Sequence, residues 1–339
     1  MSAVKLSSLV WLLPLALLAL VLYIGVSALH GHASGPEKPP VAVDVNAAKY
    51  PRTIEESGGH RVVIPARPMR IVASDCGPAD MLTALVDSSR IAALPGPVEA
   101  YGGAQEYYKA HPEIPRFAKF DSETILALKP DLVLFTTYRD AAIAEYLESR
   151  GIPVIRFENF KTFAGIRGAI LAVGSAVGEE EKAQNVVADF DRRLSAVDRA
   201  LTGRKSVRAL SYSNYGQGFA IGGGESQDEL IRRAGAENAA TELNLKGHVN
   251  FSFEQLLKLN PDWIIVDGDH GFDSAQAKFL LTQSELEGLG PIKARRIAVV
   301  PDRYYSSISQ YIVNAVEILA RQLHPDAFPP TPSQNESTH

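Results

Sequence analysis

The segment Glu123-Thr124-Ile125-Leu126-Ala127-Leu128-Lys129-Pro130-Asp131-Leu132-Val133-Leu134 has the pattern of a short helix, a break and a buried strand. Its apolar spacing predicts the helix, Pro-Asp ends it, and the apolar run that follows is typical of a strand covered on both faces. The pattern returns 131 residues later as Glu254-Gln255-Leu256-Leu257-Lys258-Leu259-Asn260-Pro261-Asp262-Trp263-Ile264-Ile265. The paired glutamate, two leucines, proline and aspartate are identical. The chain therefore contains two similar halves.

Strands and helices alternate around the first copy of this segment. Strands are predicted at residues 70–73, 90–94, 131–135 and 154–157, and helices at 79–86, 121–128 and 139–150. Alternation of apolar strands with helices indicates a parallel sheet with helices on both faces. The sequence therefore predicts an α/β protein of two similar three-layer lobes with parallel sheets.

A long amphipathic helix separates the two halves. Acidic residues at 179–181 suit a helix start, and apolar residues then recur at steps of three and four: Ala183, Val187, Phe190, Leu194, Val197 and Leu201. A helix of about 23 residues is roughly 35 Å long. We expect it to run along both lobes and bridge them, with a ligand cleft between the lobes.

The composition is that of a globular protein without a basic surface. The chain has 339 residues, of which 46% are hydrophobic and 22% charged, and its formal net charge is -5, so nucleic acid is not an expected partner. The uncharged apolar run from Leu9 to Leu29 fits both a long signal peptide and a membrane span. Both alternatives place the remainder outside the cytoplasm, either soluble after cleavage or tethered to the membrane.

These features predict six consecutive regions. They are a signal peptide or membrane anchor (1–33), a linker (34–50), an N-terminal α/β lobe opening with a β-hairpin (51–161), a bridging helix region (162–203), a C-terminal α/β lobe (204–325) and a disordered tail (326–339).

The chain resembles the class III periplasmic substrate-binding proteins of ABC importers for iron-siderophores, vitamin B12 and haem. The resemblance covers about residues 51–323 and rests on the order and spacing of the segments 65–73, 123–134, 151–154, 222–226 and 230–238, together with the long helix. It implies a monomeric periplasmic binding protein, not an enzyme, with no resident cofactor. It also implies that the protein captures a metal chelate, an iron-siderophore or cobalamin, and delivers it to a dimeric ABC permease in the inner membrane.

Two alternatives to this function remain open. One is a haem-binding member of the same family, for which His270 is the candidate axial ligand, since histidine often holds haem iron. The other is a membrane-anchored chelate sensor, which an uncleaved N-terminal segment would allow.

The cleft is expected to be lined by loops that follow the C-terminal ends of strands. The candidate ligand-binding residues there are aromatic or arginine: Tyr101, Phe117, Tyr138, Arg139, Tyr212, Tyr215, Arg303 and Tyr304. Aromatic faces suit a large, partly apolar chelate, and arginine suits its carboxylate or phosphate groups. The resemblance matches Tyr101, Phe117 and Tyr304 to positions where relatives stack aromatic rings on ligand. The alternative for each is an ordinary half-buried residue.

Neither a bare metal ion nor catalysis is expected. His111, His248 and His270 have no second histidine or cysteine at metal-ligand spacing. Cys76 is the only cysteine, so the chain can form no internal disulfide and supplies too few thiols for an iron–sulfur enzyme. No Gly-x-Ser-x-Gly elbow is present either.

Glu123 and Glu254 occupy equivalent positions at the start of the two repeats. In relatives a glutamate at these positions pairs with permease arginines, so the resemblance implies one docking carboxylate on each lobe. The alternative is that both acids only favour the dipole of their helix, an effect of about 0.3–1 kcal/mol.

Overall fold

The computed structural model describes residues 41–42, 49–56 and 59–329. The predicted signal peptide or anchor (1–33) lies outside these ranges, as do most of the predicted linker and tail. Within the described ranges, no helix has both the length and the apolar character needed to cross a membrane.

A small antiparallel sheet precedes the first lobe. Strands β2 (Arg52–Glu56) and β3 (Arg61–Ile64) form the predicted hairpin. Strand β1 (Val41–Ala42) pairs with β2, so part of the predicted linker is ordered as a third strand. Inward and outward side chains alternate along β3, and its inward face is buried in the core.

The N-lobe comprises β4–β8 and α1–α5. Its strands are β4 (Ile71–Ala73), β5 (Ile91–Pro95), β6 (Arg116–Phe117), β7 (Leu132–Thr136) and β8 (Val154–Phe157). Its helices are α1 (Cys76–Leu85), α2 (Val98–Tyr101), α3 (Gln105–Ala110), α4 (Ser122–Ala127) and α5 (Ala141–Ser149). The strands form a parallel sheet in the order β6-β5-β4-β7-β8. All residues of β7 are buried, as its apolar run predicts.

Two helices connect the lobes. The predicted long helix is confirmed as α7 (Glu180–Leu201), which packs on α1 of the N-lobe and on two helices of the C-lobe. A second helix, α6 (Phe163–Val177), lies beside it and is buried along most of its length. Gly178 separates them in a left-handed conformation, a common way to end a helix. The bridge is therefore a helix pair whose outer member is the amphipathic one.

The C-lobe comprises β9–β14 and α8–α13. Its strands are β9 (Val207–Asn214), β10 (Gly218–Ile221), β11 (Ala236–Asn238), β12 (His248–Asn250), β13 (Trp263–Asp267) and β14 (Ile297–Val300). Its helices are α8 (Ser226–Arg233), α9 (Phe253–Leu259), α10 (Ala275–Thr282), α11 (Gly290–Lys293), α12 (Asp302–Tyr305) and α13 (Ile312–Leu323).

The C-lobe sheet is mixed, which differs from the predicted parallel arrangement. Its order is β12-β10-β9-β13-β14, with β11 also paired to β9, and β10 runs antiparallel to both of its neighbours. The reason is local: residues 215–217 connect β9 to β10, and so short a loop can only reverse the chain. The two-lobed α/β architecture itself is confirmed.

In the N-lobe, the Pro-Asp break of the repeat holds a helix end against the first strand. The carboxylate of Asp131 accepts hydrogen bonds from the backbone N–H groups of Met69 (2.7 Å) and Arg70 (2.8 Å). In return, the guanidinium of Arg70 donates to the carbonyl oxygens of Leu128 (2.6 Å) and Lys129 (3.0 Å), just beyond α4. These bonds satisfy carbonyl groups that a helix end otherwise leaves unpaired.

The C-lobe repeats this arrangement with one bond fewer at the aspartate. Asp262 accepts from the backbone N–H of Arg208 (3.0 Å), and the Arg208 guanidinium donates to the carbonyl oxygens of Leu259 (3.2 Å) and Asn260 (3.1 Å) at the end of α9. The repeated sequence is thus a hydrogen-bonding unit that joins a helix end, a buried strand and the first strand of each lobe.

One hydrophobic core runs through both lobes. Leu134 and Ile265 occupy equivalent repeat positions, and both belong to this shared core, which also includes residues of α6, α7 and α13. The residues immediately before them, Val133 and Ile264, point to the opposite face of each sheet. Val133 lies in a cluster confined to the N-lobe, and Ile264 in one confined to the C-lobe.

Candidate ligand-binding cleft

A cleft of about 330 Å³ opens between the lobes. On the N-lobe side it is bounded by residues that follow β4 and β7, and on the C-lobe side by residues around α12, as expected for loops at strand ends. Its lining residues are Asp75, Cys76, Gly77, Asp80, Tyr101, Tyr138, Asp302, Ser306, Ser307 and Ile308.

Two of the predicted tyrosines lie on the N-lobe side of this cleft. Tyr101 ends α2 and is 58% exposed, and Tyr138 follows β7 and is 66% exposed. The ring of Tyr138 is supported by buried Phe160, at 6.5 Å between centroids. Both rings are therefore open to a ligand from within the cleft.

Arg139 is already paired within the protein. Its Nε lies 2.9 Å from Asp75 Oδ1, and a second guanidinium nitrogen also bonds this carboxylate. Asp75 further accepts bonds from the hydroxyls of Ser74 (2.8 Å) and Thr136. The positive charge of Arg139 is therefore offset at the cleft wall and is not free for an anionic ligand.

Asp80 is a buried carboxylate where the two lobes meet. It accepts bonds from the backbone N–H groups of Gly103 (2.9 Å) and Ala104 (3.1 Å), from the Tyr108 hydroxyl (2.6 Å) and from the Ser309 hydroxyl (3.1 Å). Ser309 precedes α13 of the C-lobe, so this one side chain ties the lobes together. Burial raises the pKa of Asp80 to about 6, although the four donors act in the opposite direction.

Glycines allow the lobes to touch beside this carboxylate. A Cβ atom at Gly77 would overlap the side chain of Ile308, and one at Gly103 would overlap the ring of Tyr311. Direct packing of the segment around 308–311 on the N-lobe adds to the bridge formed by α6 and α7. We therefore expect little movement between the lobes.

Cys76 lies in the cleft but is poorly suited to catalysis. Burial, followed by the nearby charges of Asp80 and Asp75, raises the pKa of its thiol to about 12. The reactive form of cysteine is the thiolate, which this environment disfavours.

On the C-lobe side, aspartates cluster near the cleft. Tyr215 is 68% exposed, and its hydroxyl donates to Asp267 at 2.5 Å. Burial raises the pKa of Asp302, and the negative charges of Asp267 and Asp269 raise it further. These carboxylates are close enough to repel one another.

Arg303 and Tyr304 lie beside a neighbouring groove. Arg303 pairs with Asp269 at 2.8 Å, and its guanidinium lies over the Tyr304 ring at 4.9 Å from the centroid. Both line a groove formed with residues 103–107, Lys109 and Tyr311, whereas Asp302 of the same short helix lines the main cleft. Tyr304 thus lines a groove next to the cleft that Tyr101 lines, and the helices that carry these two residues, α12 and α2, are in contact.

Two predicted ligand residues are core residues instead. Phe117 lies within β6, is 7% exposed and packs on Phe120 at 5.8 Å between centroids. Tyr212 is 1% exposed and packs near Phe253 in the C-lobe core. For Tyr212 the prediction was wrong because β9 continues to Asn214, which places Tyr212 inside the strand and not in the loop after it.

Sequence reasoning missed several lining residues, chiefly Asp75, Asp80, Asp302 and the segment 306–308. Asp75 follows β4 closely and Asp302 follows β14 closely, so the rule that placed tyrosines at strand ends could have found both. Asp80 lies within α1, and no comparable signal marks it.

Glu123 and Glu254 are both exposed, and neither caps its helix. Asp121 caps α4 through the backbone N–H of Thr124 (2.8 Å), and Ser252 caps α9 through that of Gln255 (3.2 Å). No salt bridge to either glutamate is found within the described ranges. Both carboxylates are therefore available at the surface.

Histidines contribute no metal site to the parts of the chain that the structure describes. No group of three or more His, Cys, Asp or Glu side chains there is arranged to hold a metal ion. His270 is exposed, in a left-handed conformation before a short turn, and it does not line the cleft.

Two α/β lobes joined by a long helix and enclosing a tyrosine-lined cleft define a two-lobed ligand-binding protein. The sequence profile of the family described as "Periplasmic binding protein" matches residues 71–304. The chain belongs to this family, in its class III form with two lobes and a helical bridge.

Similarity to known proteins and solved structures extends over most of the chain. It is 24% identical over 288 residues to an uncharacterized ABC transporter substrate-binding lipoprotein of Bacillus subtilis, covering 82% of this chain and 87% of the relative. It is 21% identical to a cobalamin-binding protein of Halobacterium salinarum, covering 86% and 79%. The crystal structure of an ABC-type Fe3+-hydroxamate transport system protein from Saccharomonospora viridis superposes with a TM-score of 0.66, at 23% identity, covering 81% and 99%.

Proposed function

We propose that this protein is the substrate-binding component of an ABC importer and that it captures a metal chelate, an iron-siderophore or cobalamin. The observation that carries the proposal is the pair of exposed tyrosines, Tyr101 and Tyr138, on the wall of the cleft between the lobes. A volume of about 330 Å³ suits a small-molecule site. The names of similar proteins support the proposal: the B. subtilis protein is named for an ABC transporter, the H. salinarum protein for cobalamin binding, and the S. viridis protein for Fe3+-hydroxamate transport.

A chelate suits these side chains better than a free ion does. The tyrosine rings offer apolar faces for packing against an organic ligand, and their hydroxyls can bond its polar edge. The chelate would bring its own metal ligands, so the protein would need to supply none.

The test is to titrate ferric hydroxamates and cobalamins into Tyr101→Ala and Tyr138→Ala. Each substitution should weaken binding of the true ligand by about 1–3 kcal/mol, the scale for losing a packed aromatic ring. Tyr146→Ala is the matched control, because Tyr146 is also exposed but lies on α5, away from the cleft. Wild-type affinity in both cleft variants would contradict the proposal.

The proposed place of action is the periplasm. The uncharged apolar run from Leu9 to Leu29 supports export, with or without cleavage. Cell fractionation of the full chain should recover it with periplasmic or membrane-tethered proteins, and recovery with cytoplasmic proteins would contradict this placement.

The proposed partner is a two-fold symmetric permease that meets Glu123 and Glu254, one on each lobe. Both are exposed, and both lie in the first turn of a helix that another residue caps. Because charges at the rim of an interface govern encounter and register, replacing both by alanine should lower permease-stimulated ATP hydrolysis about tenfold.

The same double variant should keep its chelate affinity and melting temperature. Glu181→Ala combined with Glu285→Ala is the control, since it removes two exposed carboxylates outside the repeat. An equal loss of stimulation in the control would argue against docking. A large loss of melting temperature in the test variant would instead support a structural role for the two glutamates.

A further inference from the structure

In the part of the chain that the structure describes, acidic side chains outnumber basic ones at the walls of the cleft. Asp75, Asp80 and Asp302 are among its described lining residues, and none of those lining residues is a lysine, arginine or histidine. A site for a polyanionic ligand would instead need positive groups that are free to pair with it.

The two arginines near the cleft are each matched to an aspartate. Arg139 pairs with Asp75, and Arg303 pairs with Asp269 at 2.8 Å. Each pair is close to neutral, so neither adds net positive charge to the cleft.

Lys161, another base near the cleft, is also neutralised. It lies 3.2 Å from Glu225 of the opposite lobe, and the charges of both residues act on the pKa of Tyr138. Their effects on a ligand beside Tyr138 would largely cancel.

Among the residues that the structure describes, the other aspartates at or near the cleft accept hydrogen bonds only from neutral donors. Asp267 accepts from the hydroxyls of Ser213 (2.7 Å) and Tyr215 (2.5 Å), and Asp302 accepts from that of Ser306 (2.7 Å). The donors to Asp80 are likewise hydroxyl and backbone N–H groups. Asp267 and Asp302 are thus left without a cationic partner among the described residues, and a positive ligand would relieve the repulsion between them. The buried Asp80 carboxylate is already satisfied by its four donors.

The exposed aromatic rings favour the same sign of charge independently of the aspartates. Tyr101 and Tyr138 stand on the N-lobe side and Tyr215 on the C-lobe side, each more than half exposed. The face of an aromatic ring carries negative potential and attracts cations within about 6 Å.

We infer that the cleft selects metal chelates of net positive charge over neutral ones and discriminates against anionic ones. The inference rests on the proposed function, because it specifies the ligand of the same cleft. The selectivity comes from the carboxylates of Asp302 and Asp267 on the C-lobe side, combined with exposed tyrosine rings on both lobes.

The experiment compares chelates that share a metal core and differ only in charge. The first series is a linear ferric tris-hydroxamate that ends in a primary amine, its N-acetyl derivative and its N-succinyl derivative, which are cationic, neutral and anionic respectively. The second is the pair of aquocobalamin, which is cationic, and cyanocobalamin, which is neutral. Affinities are measured by fluorescence quenching at low and at high ionic strength.

In whichever series binds the protein, the cationic chelate should bind about tenfold more tightly than the neutral one. An anionic chelate, where the series includes one, should bind most weakly. The preference should shrink at high salt, since partly exposed charges are screened. Asp302→Asn retains an acceptor for Ser306 and should reduce the preference severalfold. Glu181→Gln makes the same change of charge on α7, outside the cleft, and should leave it unchanged.

The possible outcomes separate the two proposals. Equal affinity across charges, tighter binding of an anionic member, or an unchanged preference in Asp302→Asn would overturn charge selection while leaving chelate binding intact. Failure of every chelate in both series to bind would overturn the proposed function and this inference with it.

Discussion

The two lobes share a folding unit but differ in what they bring to the cleft. In each, a short helix ends at a Pro-Asp break whose aspartate accepts a backbone N–H bond at the first strand of the lobe, Asp131 from Arg70 and Asp262 from Arg208. The guanidinium of the same arginine donates back to a carbonyl oxygen at the end of the helix. Beyond this unit the lobes diverge: one sheet is wholly parallel, and the other contains an antiparallel hairpin. The lobes thus share the residues that provide hydrogen-bond partners for backbone groups at the helix end and at the first strand.

At the cleft the difference is chemical. The N-lobe contributes Tyr101, Tyr138 and a paired aspartate, whereas the C-lobe contributes Asp302 and the nearby carboxylates Asp267 and Asp269. The repeated pattern that specifies the fold therefore carries little information about the ligand, because the residues that face the cleft lie outside that pattern.

The largest expected effect tests whether the lobes unfold together. Leu134→Ala and Ile265→Ala, at equivalent repeat positions in the shared core, should each cost about 2–5 kcal/mol of the free energy of unfolding, for lost burial and a residual cavity. Because one core joins the lobes, urea denaturation of both variants should remain a single transition.

Val133→Ala and Ile264→Ala are the matched variants in the clusters confined to one lobe. Separate unfolding of the two lobes in any of these variants would show that the shared core does not couple them.

A second effect concerns Asp80, at the contact between the lobes. Its pKa is raised from 3.8 to about 6, so the folded state holds this proton more tightly than the unfolded state does. The associated stability is fully present below about pH 4 and is lost as the pH rises through about 6. The free energy of unfolding of wild type minus that of Asp80→Asn should therefore fall by about 2 kcal/mol between pH 4 and pH 7.

Subtraction removes the contributions of other titrating groups, which both proteins share. Urea denaturation at several pH values gives the difference directly. A difference that rises with pH would mean that hydrogen bonding to the Asp80 carboxylate outweighs its burial.

The smallest expected effect is a difference in stability between substitutions at the equivalent aspartates of the two repeats. Asp131 accepts two backbone N–H bonds and Asp262 accepts one, so Asp131→Ala should cost about 1–2 kcal/mol of unfolding free energy and Asp262→Ala about half as much.

Asparagine substitutions sharpen this comparison, because an amide keeps only one accepting oxygen. Thermal melts should show a loss for Asp131→Asn and little change for Asp262→Asn. Equal losses in the two lobes would mean that the second bond in the N-lobe adds no stability.

Much of the fold was predictable because it rests on local patterns. The hairpin, the buried strand β7 and the long helix α7 follow from alternation, an apolar run and a period of three to four residues. Helix α6 was not assigned, because most of its residues are small or apolar and give no polar face to define a period. Strand β10 was not predicted, so the reversal of the chain at residues 215–217 was not expected either.

The sequence by itself determined two similar α/β lobes and the helix between them, because periodicity and the Pro-Asp break act over a few residues. Only the tertiary structure decided which strand-end residues face the cleft and which of its charges are paired. Arg139 meets Asp75 across 64 positions of chain, and Ser309 meets Asp80 across 229. Burial and pairing at such separations depend on how whole elements pack, so Phe117 and Tyr212 entered the core while Asp302 lines the cleft.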